Sequence, residues 1–448
     1  MKKFDFIIDY SFLANYHIDT LKENLIIPLK KEGIYFDCLY CDESNLEFLK
    51  DTSIIRKKLI LKEEILFFLS DIETRKRLYT LALNSISKEN SKSDFIKDFL
   101  YLLLKNSIES RSSDIHIESL EKTTNIRFRI DGNLKIFYIF NKRFLRVLSS
   151  YIKMISKLDI TQNRLPLDGS FSMDFENKRI DFRVSTMPTI YGESIVLRVL
   201  NNSSMAKDIK NLGFSNSTYK KIKDSLCLTS GLILVAGPTG SGKSTTLYSI
   251  LNELNQENKK IITVEDPVEY KIKHIQQVEI NESLGIDFKT ILRNILRQDP
   301  DIILIGEIRD KTSLDLALQA SLTGHLVFAS IHANDTLETI TRLKDLEANE
   351  YLLCSSLKYI YSQRLVLKIC KECNNKGCKK CNFTGFYGRC TIAEILKVEK
   401  DIFSYILDNK DIKTYLKKID FKSMLDDGKE KVKENIITLD EVYKAINV

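Results

Sequence analysis

Residues 232–254 read LILVAGPTGSGKSTTLYSILNEL, and this stretch decides the fold. Leu232 to Ala236 form an apolar run with the length of a buried strand. The run enters Gly237, Pro238, Thr239, Gly240, Ser241, Gly242, Lys243, Ser244 and Thr245, which match G-x4-G-K-[ST]. Beyond the loop, Leu247, Ile250, Leu251 and Leu254 recur at helical spacing on one face. Strand, glycine loop and helix in this order make a phosphate cradle. The glycines let successive backbone N–H groups curl round phosphate, and the helix N-terminus adds its positive end. Lys243 reaches the outer phosphates and Ser244 ligates magnesium. The stretch therefore predicts a site for a nucleoside triphosphate with Mg2+ at a strand end.

The same rhythm continues downstream. IITVED (261–266), IILIGE (302–307) and LVFASIH (326–332) are short apolar runs separated by helical stretches, the pattern of a parallel sheet with helices on its faces. Strand ends on one side of such a sheet share the ligand crevice. The first run ends in Glu265 and Asp266, with Glu269 close behind; the second, within DIILIGEIRD (301–310), ends in Gly306 and Glu307. An Asp often holds magnesium at the end of this second strand. With Gly306 present, the metal's water shell is expected to be held from the Glu265 cluster, leaving Glu307 to orient or deprotonate the attacking water. The competing reading is that these acids cap helices or form surface ion pairs. TGHLVFASIHANDT (323–336) carries His325 and His332, whose odd offset puts them on opposite faces of a strand, unable to share a metal. Sensing of the terminal phosphate by one of them and a satisfied core histidine both stay open.

Upstream, residues 91–200 read as a second, mixed domain. DFIKDFLYLLLKNSIESRSSDIHIE (94–118) is a helix stopped by a Ser-rich turn before a strand. NIRFRIDGNLKIFYIF (125–140) alternates around an Asp131-Gly132 turn, and RIDFRVSTMPT (179–189) and SIVLRVL (194–200) follow as strands. Residues 201–211 read as a linker, and residues 212–448 as the nucleotide-binding domain. Residues 1–90 combine amphipathic helices with one strand-like run, GIYFDCLYCD (33–42), as a small adaptor domain. No internal repeat is expected. A chain of 448 residues with 43% hydrophobic content supplies about three domains with a core each. Lys+Arg 68 against Asp+Glu 61 leaves a mild net charge of +7, which names no nucleic-acid partner. Asp5 and Asp9 interrupt the N-terminal apolar run, so no signal peptide is read. FLYLLLKNSI (99–108) is too short and too close to charge to span a bilayer. A cytoplasmic location is expected, with membranes touched through partners.

Four of the nine cysteines fall in CKECNNKGCKKC: Cys370, Cys373, Cys378 and Cys381, spaced C-x2-C-x4-C-x2-C. Two such knuckles supply four thiolates for tetrahedral Zn2+, and adjacent lysines favour the thiolate form. Lys, Asn and Gly around them argue against a buried thiol core. A closed four-Cys site has no open position, so its role is structural. Cys38 and Cys41 also have C-x2-C spacing, but within an aromatic strand where core packing is favoured over a ligand pair. Cys227, Cys354 and Cys390 read as core.

The phosphate loop, the EDPVE box (265–269), LRQDPDIILIGEIRD (296–310) and TGHLVFASIHAND resemble, in order and spacing, the secretion and pilus-assembly ATPases of type II secretion systems, type IV pilus extension and competence pseudopili. The resemblance runs from about Asp94 to the end and takes in SSDIHIE, FRIDGNL, STMPTIYGESIVLRVL, GFYGRCTIAEIL and LDDGKEKV. It implies an α/β chain: a RecA-like P-loop ATPase domain with a preceding PAS-like α+β domain, a small N-terminal adaptor domain and a zinc-binding insert at 370–381. It implies ATP hydrolysis by a homo-hexamer that works on an inner-membrane platform protein, with a membrane-anchored or actin-like adaptor on the N-terminal domain. LIIPLKKEGIYFDCLYCDESNLEFL (25–49) is similar to the family's recruitment domain, but shorter. The tetracysteine insert is the mark of assembly-type members. Arg129, Arg183 and Arg198 match arginines that reach the phosphates, in part across a subunit boundary; ordinary strand-surface arginines are the alternative. RLPLDGS (164–170) departs from the pattern, with Leu167 and Ser170 where the family usually carries Gln and Arg. Two rivals remain: a conjugative or DNA-processing traffic ATPase on this fold, and a nucleotide-binding scaffold without turnover. The zinc insert and the lack of a basic, aromatic-interleaved groove argue against the first, so no direct nucleic-acid contact is expected. Lys243, Glu265 and Glu307 argue against the second.

Overall fold

The apolar runs form strands, and each strand divides its residues between opposite faces. In the computed structural model, which describes residues 6–49, 54–86, 92–176, 178–200, 208–407, 412–419 and 421–446, the chain forms two compact units. One comprises Met1–Asn201 with Cys370–Tyr387, the other Asn202–Ile369 with Gly388–Val448. The insert thus belongs to the first unit, although its flanking residues belong to the second. Most of the expected linker lies outside the described residues; its end is a 3-10 turn, Ile209–Leu212, capped by Asp208.

In the first unit, β1 (Ile26–Glu32) pairs antiparallel with β2 (Tyr35–Tyr40), and β3 (Ile54–Leu59) pairs parallel with β2. The sequence offered a single strand here. Pro28 masks β1, and the structure accommodates it because β1 is an edge strand whose register shifts just after Pro28. A six-stranded antiparallel sheet follows from β4 (Ser112–Ser119), β5 (Thr123–Ile130), β6 (Asn133–Asn141), β7 (Leu167–Phe175), β8 (Lys178–Thr189) and β9 (Gly192–Leu200), in the order β6-β5-β4-β9-β8-β7. Asp131 and Gly132 both take positive φ, 50° and 94°, as a tight hairpin turn requires. Ile115, Ile117, Phe128, Phe182 and Leu197 face a core completed by Phe99 and Leu103 of helix Lys92–Glu109 and Phe144 and Leu148 of helix Arg143–Ile155. Phe6, Leu13, Leu21, Phe67 and Leu78 join the same cluster. Residues 6–86 therefore share a core with the sheet.

The second unit is built on β10 (Gly231–Ala236), β11 (Ile261–Glu265), β12 (Gln276–Glu279), β13 (Ile302–Ile305), β14 (Leu326–Ile331), β15 (Leu357–Ile369) and β16 (Phe386–Lys397), in the order β12-β11-β13-β14-β10-β15-β16. The pairs from β12 to β15 are parallel. Alternation splits each buried run between two cores. Ile233, Val235, Ile302, Leu304 and Phe328 pack with Leu247, Ile250 and Leu251 of helix Lys243–Leu254. Leu232, Leu234, Ile303, Ile305 and Val327 pack on the other face with Leu314, Ala317 and Leu318 of helix Lys311–Leu322. A one-residue slip would exchange the sets, so the two helical layers fix the register. The register places the C-terminal ends of β11, β13, β14 and β10 side by side. No helix among the described residues is long and apolar enough to cross a membrane.

Candidate functional site

The phosphate loop leaves β10 at Gly237, whose φ of 153° and close neighbours explain the residue: an added Cβ would lie 2.3 Å from Ser241 Oγ and 2.8 Å from Gln363 O. Gly242 caps the following helix in the left-handed region, φ 90°. Lys243 Nζ donates to Gly237 O at 2.7 Å and Pro238 O at 3.2 Å, which holds the ammonium over the loop. Burial lowers its pKa, partly opposed by the nearby Glu307 carboxylate. Ser244 stands exposed beside it at the head of the helix, free of the core, as a magnesium ligand has to be.

His332 and Glu307 reach this loop from neighbouring strands. Ile331 is level with Ala236, and Ile305 with Ala329, so the residues just beyond β14 and β13 emerge next to Gly237. There His332 Nε2 lies 2.9 Å from Glu307 Oε1, while Glu307 Oε2 accepts from Arg309 Nε at 2.7 Å. Arg309 also pairs with Asp266 at 3.4 Å. The sequence reading missed Arg309, though it sits two residues from Glu307 in the same motif. His325 goes elsewhere. It precedes β14, about 20 Å of strand from His332, and its Nδ1 is 2.9 Å from Ala320 O and 3.1 Å from Thr323 Oγ1. His325 therefore ties off the end of a helix at the sheet edge remote from the phosphate loop.

Glu265 is buried. Its carboxylate accepts from the Tyr248 hydroxyl, from Thr263 Oγ1 at 2.6 Å and from Gln277 Nε2 at 3.2 Å. Tyr248 lies on the helix after the phosphate loop, so this bond joins that helix to the β11 end. Burial and the adjacent carboxylate raise the Tyr248 pKa, keeping it a donor. Gly306 makes the approach possible: a Cβ there would meet Val264 O at 3.0 Å and Glu265 Cα at 3.2 Å. Tyr248→Phe, which leaves the buried carboxylate one donor short, is expected to cost about 1–3 kcal/mol of stability in urea unfolding.

The three arginines line up in the first unit. Arg129 on β5 and Arg198 on β9 are each level with Asp114 on β4, and Arg183 on β8 is level with Arg198. Asp114 lies 3.2 Å from Arg198 Nε and 3.7 Å from Arg129 Nε. One carboxylate thus organises the row, which remains rich in positive charge. The row continues onto β7 at Ser170, level with Arg183, one of the two departures from the family pattern.

Cys370, Cys373, Cys378 and Cys381 converge, with all four sulphurs within 4.8 Å of one another. Three separations are 3.8, 3.8 and 3.7 Å. A tetrahedron of thiolates around zinc, with bonds of about 2.3 Å, has edges of about 3.8 Å, so the donor set fits the metal. Burial opposes ionisation of Cys381, yet N–H groups of Cys378 and Gly385 directed at its sulphur bring its pKa down to about 7. The structure also corrects the expectation of no internal repeat. CKECNNKG (370–377) and CKKCNFTG (378–385) are consecutive octads, and the left-handed residues fall at matching positions: Asn374 and Asn382, Asn375 and Phe383, Gly377 and Gly385. Lys135 Nζ donates to Asn382 O at 2.5 Å, Phe383 packs on the core of the first unit, and Arg111 covers the Tyr387 ring at 3.8 Å. Cys38 and Cys41 bury their sulphurs in separate apolar clusters, as core residues. Cys227, expected in the core, is exposed at a helix C-terminus.

The family described as Type II/IV secretion system protein matches residues 89–444. The putative type II secretion system protein E of Escherichia coli (strain K12) is 40% identical over 370 residues, 77% of this chain and 75% of that protein. The type II secretion system ATPase E of Vibrio cholerae is 38% identical over 77% of this chain and 74% of its own length. Among solved structures, the pilus retraction motor PilT with bound ADP is similar at 30% identity and a TM-score of 0.57, covering 76% of this chain and 95% of that one. The Legionella pneumophila ATPase DotB, at 21% identity and a TM-score of 0.62 over 77% of this chain and 94% of its own, shares the fold. Phosphate loop, strand-end acids and these relatives agree: the chain belongs to the type II/IV secretion system protein family and is a P-loop ATP hydrolase of its secretion and pilus class.

Proposed function

We propose that this ATPase is the hexameric assembly motor of a pilus or pseudopilus, serving type II secretion, type IV pilus extension or DNA uptake through an inner-membrane platform protein. The observation that carries the assembly direction is the four-sulphur site, the mark of assembly-type members in the resemblance drawn from the sequence. Lys243 binds the outer phosphates and Ser244 the magnesium, which offsets phosphate charge. Glu307, held between His332 and Arg309, takes the proton of the attacking water. His332 senses the terminal phosphate through Glu307, and Glu265 with Asp266 supports the metal's water shell from the β11 end. Arg129, Arg183 and Arg198 complete the site of a neighbouring subunit, supported by the excess positive charge of their row. Residues 1–90 dock a membrane-anchored or actin-like adaptor, and the protein works at the cytoplasmic face of the inner membrane.

With ATP and Mg2+, tagged Glu307→Gln protein in native membranes is expected to sediment as a six-subunit ring. It should capture a polytopic membrane protein with pilin-like subunits, identified by mass spectrometry. A species that stays monomeric, or one that captures nucleoprotein instead, would remove the assembly-motor reading.

A further inference from the structure

The middle of β15 passes the end of β10, with Ser362 level with Ala236, so the next two residues stand beside the phosphate loop. Side chains alternate along a strand, and here the alternation divides two loops between them. Gln363 turns one way. Its Nε2 donates to Ser241 O at 2.8 Å, and its Oε1 accepts from Thr246 Oγ1 at 2.8 Å, tying the loop to the first turn of its helix. Ser362 and Arg364 turn the other way. Ser362 Oγ donates to Asn334 O at 3.2 Å, and Arg364 Nη2 donates to Asn334 Oδ1 at 3.0 Å. Asn334 is two residues beyond His332, in the loop that leaves β14.

Ser362, Gln363 and Arg364 are 0%, 1% and 6% exposed. Arg364 is the unusual member. Its Nη1 and Nη2 donate to neutral oxygens, Gln363 O at 3.2 Å and Asn334 Oδ1, and its Nε has no partner. Among the described residues no carboxylate lies within ion-pair distance of it. Asp335, Glu338 and Glu394 favour its charge only from beyond that distance, and burial outweighs them; a buried guanidinium without a direct ion pair is costly. A purely architectural role would be filled as well by an apolar residue.

We propose that Gln363 and Arg364 are positioning residues for ATP hydrolysis: Gln363 fixes the loop that carries Lys243, Arg364 fixes the loop that carries His332, and β15 sets the spacing between them. The assignment rests on the reading of Glu307 as the base with His332 as its partner. The two residues act on different stages of the reaction. Gln363 holds the loop that grips the phosphates and so governs nucleotide binding. Arg364 holds the loop that orients the base and so governs the chemical step.

The test is steady-state ATP hydrolysis by the full-length protein, read as separate kcat and KM values. Gln363→Met is expected to raise KM about tenfold with kcat within about threefold. Arg364→Met is expected to lower kcat about 10- to 100-fold with KM within about threefold. Asn334→Ala should reproduce the Arg364→Met loss, and the double variant should be no slower than either alone, since both remove the same Arg364–Asn334 bond. Arg364→Lys, which keeps the charge and a donor, should recover part of the rate and serves as the probe where the Met variant does not fold. Losses that follow only the folded fraction with KM unchanged, or additive losses at Asn334 and Arg364, would overturn the proposal. Glu307→Gln is assayed alongside. A fully active Glu307→Gln removes the base assignment, whereas an unsplit pattern at positions 363 and 364 with an inactive Glu307→Gln removes the positioning roles.

Discussion

Glu307→Gln is expected to lower kcat for ATP hydrolysis by about 10^2 to 10^4-fold while leaving ATP binding within a few-fold. The change is isosteric, so the Glu307 contacts are the place to see why. One oxygen accepts from Arg309 Nε at 2.7 Å, and the amide oxygen of Gln can keep that bond. The other faces His332 Nε2 at 2.9 Å, where an NH2 group is accommodated once the imidazole presents a lone pair. Position and packing survive, and the group able to take a proton from water is lost. Phosphate release and calorimetric ATP titration on the same preparation separate the two. A variant that turns over at half the native rate, or one that fails to bind ATP, would sink the assignment.

Removing the metal is expected to have the second large effect. One tightly held Zn2+ per chain should be measured, and Co2+ in its place should give the visible absorption of a tetrahedral thiolate site. Cys381→Ser should abolish stoichiometric binding. Structural zinc contributes about 10–16 kcal/mol in small zinc modules at neutral pH. Few other contacts could compensate, because Cys373, Cys378 and most of the residues between them are not buried. Metal loss should therefore free residues 370–387 from the first unit, releasing Phe383 from its core and Asn382 from Lys135. Limited proteolysis confined to that stretch is the readout. Equal resistance of the native and Cys381→Ser proteins, or a native protein that holds no zinc after purification with it, would refute the metal centre.

Much of this molecule could be read from its sequence. The phosphate loop, the parallel strands and the four cysteines are local patterns, and each stands where its pattern put it. Long-range register was harder. Nothing local says that Asp114 would sit level with two arginines, or that Arg309 would reach both Glu307 and Asp266. Gln363 and Arg364 were illegible for the same reason: β15 reads as an ordinary strand until its alignment with β10 is known. The remoteness of His325 is legible in the sequence, since in a parallel sheet a residue preceding its strand lies at the end away from the crevice. β1 was hidden by Pro28, a residue that counts against a central strand and is tolerated at an edge. The octad repeat is legible in the sequence, since Cys, Lys, Cys, Asn and Gly recur eight residues apart, but the cysteine spacing taken alone does not reveal it.

The octads have a consequence for how the chain folds. All four converging cysteines come from twelve consecutive residues, Cys370 to Cys381. Bringing them together closes only short loops, whose entropic cost is small. The clip also joins β15 to β16, which runs back along it from Cys370 N–Gly385 O at 2.9 Å to Val398 N–Lys358 O at 2.8 Å. A pairing of two long strands is thereby started at its turn and can close outward like a zip. In a sheet otherwise assembled from distant, slow-forming parallel partners, this gives the growing chain an early local nucleus on one edge.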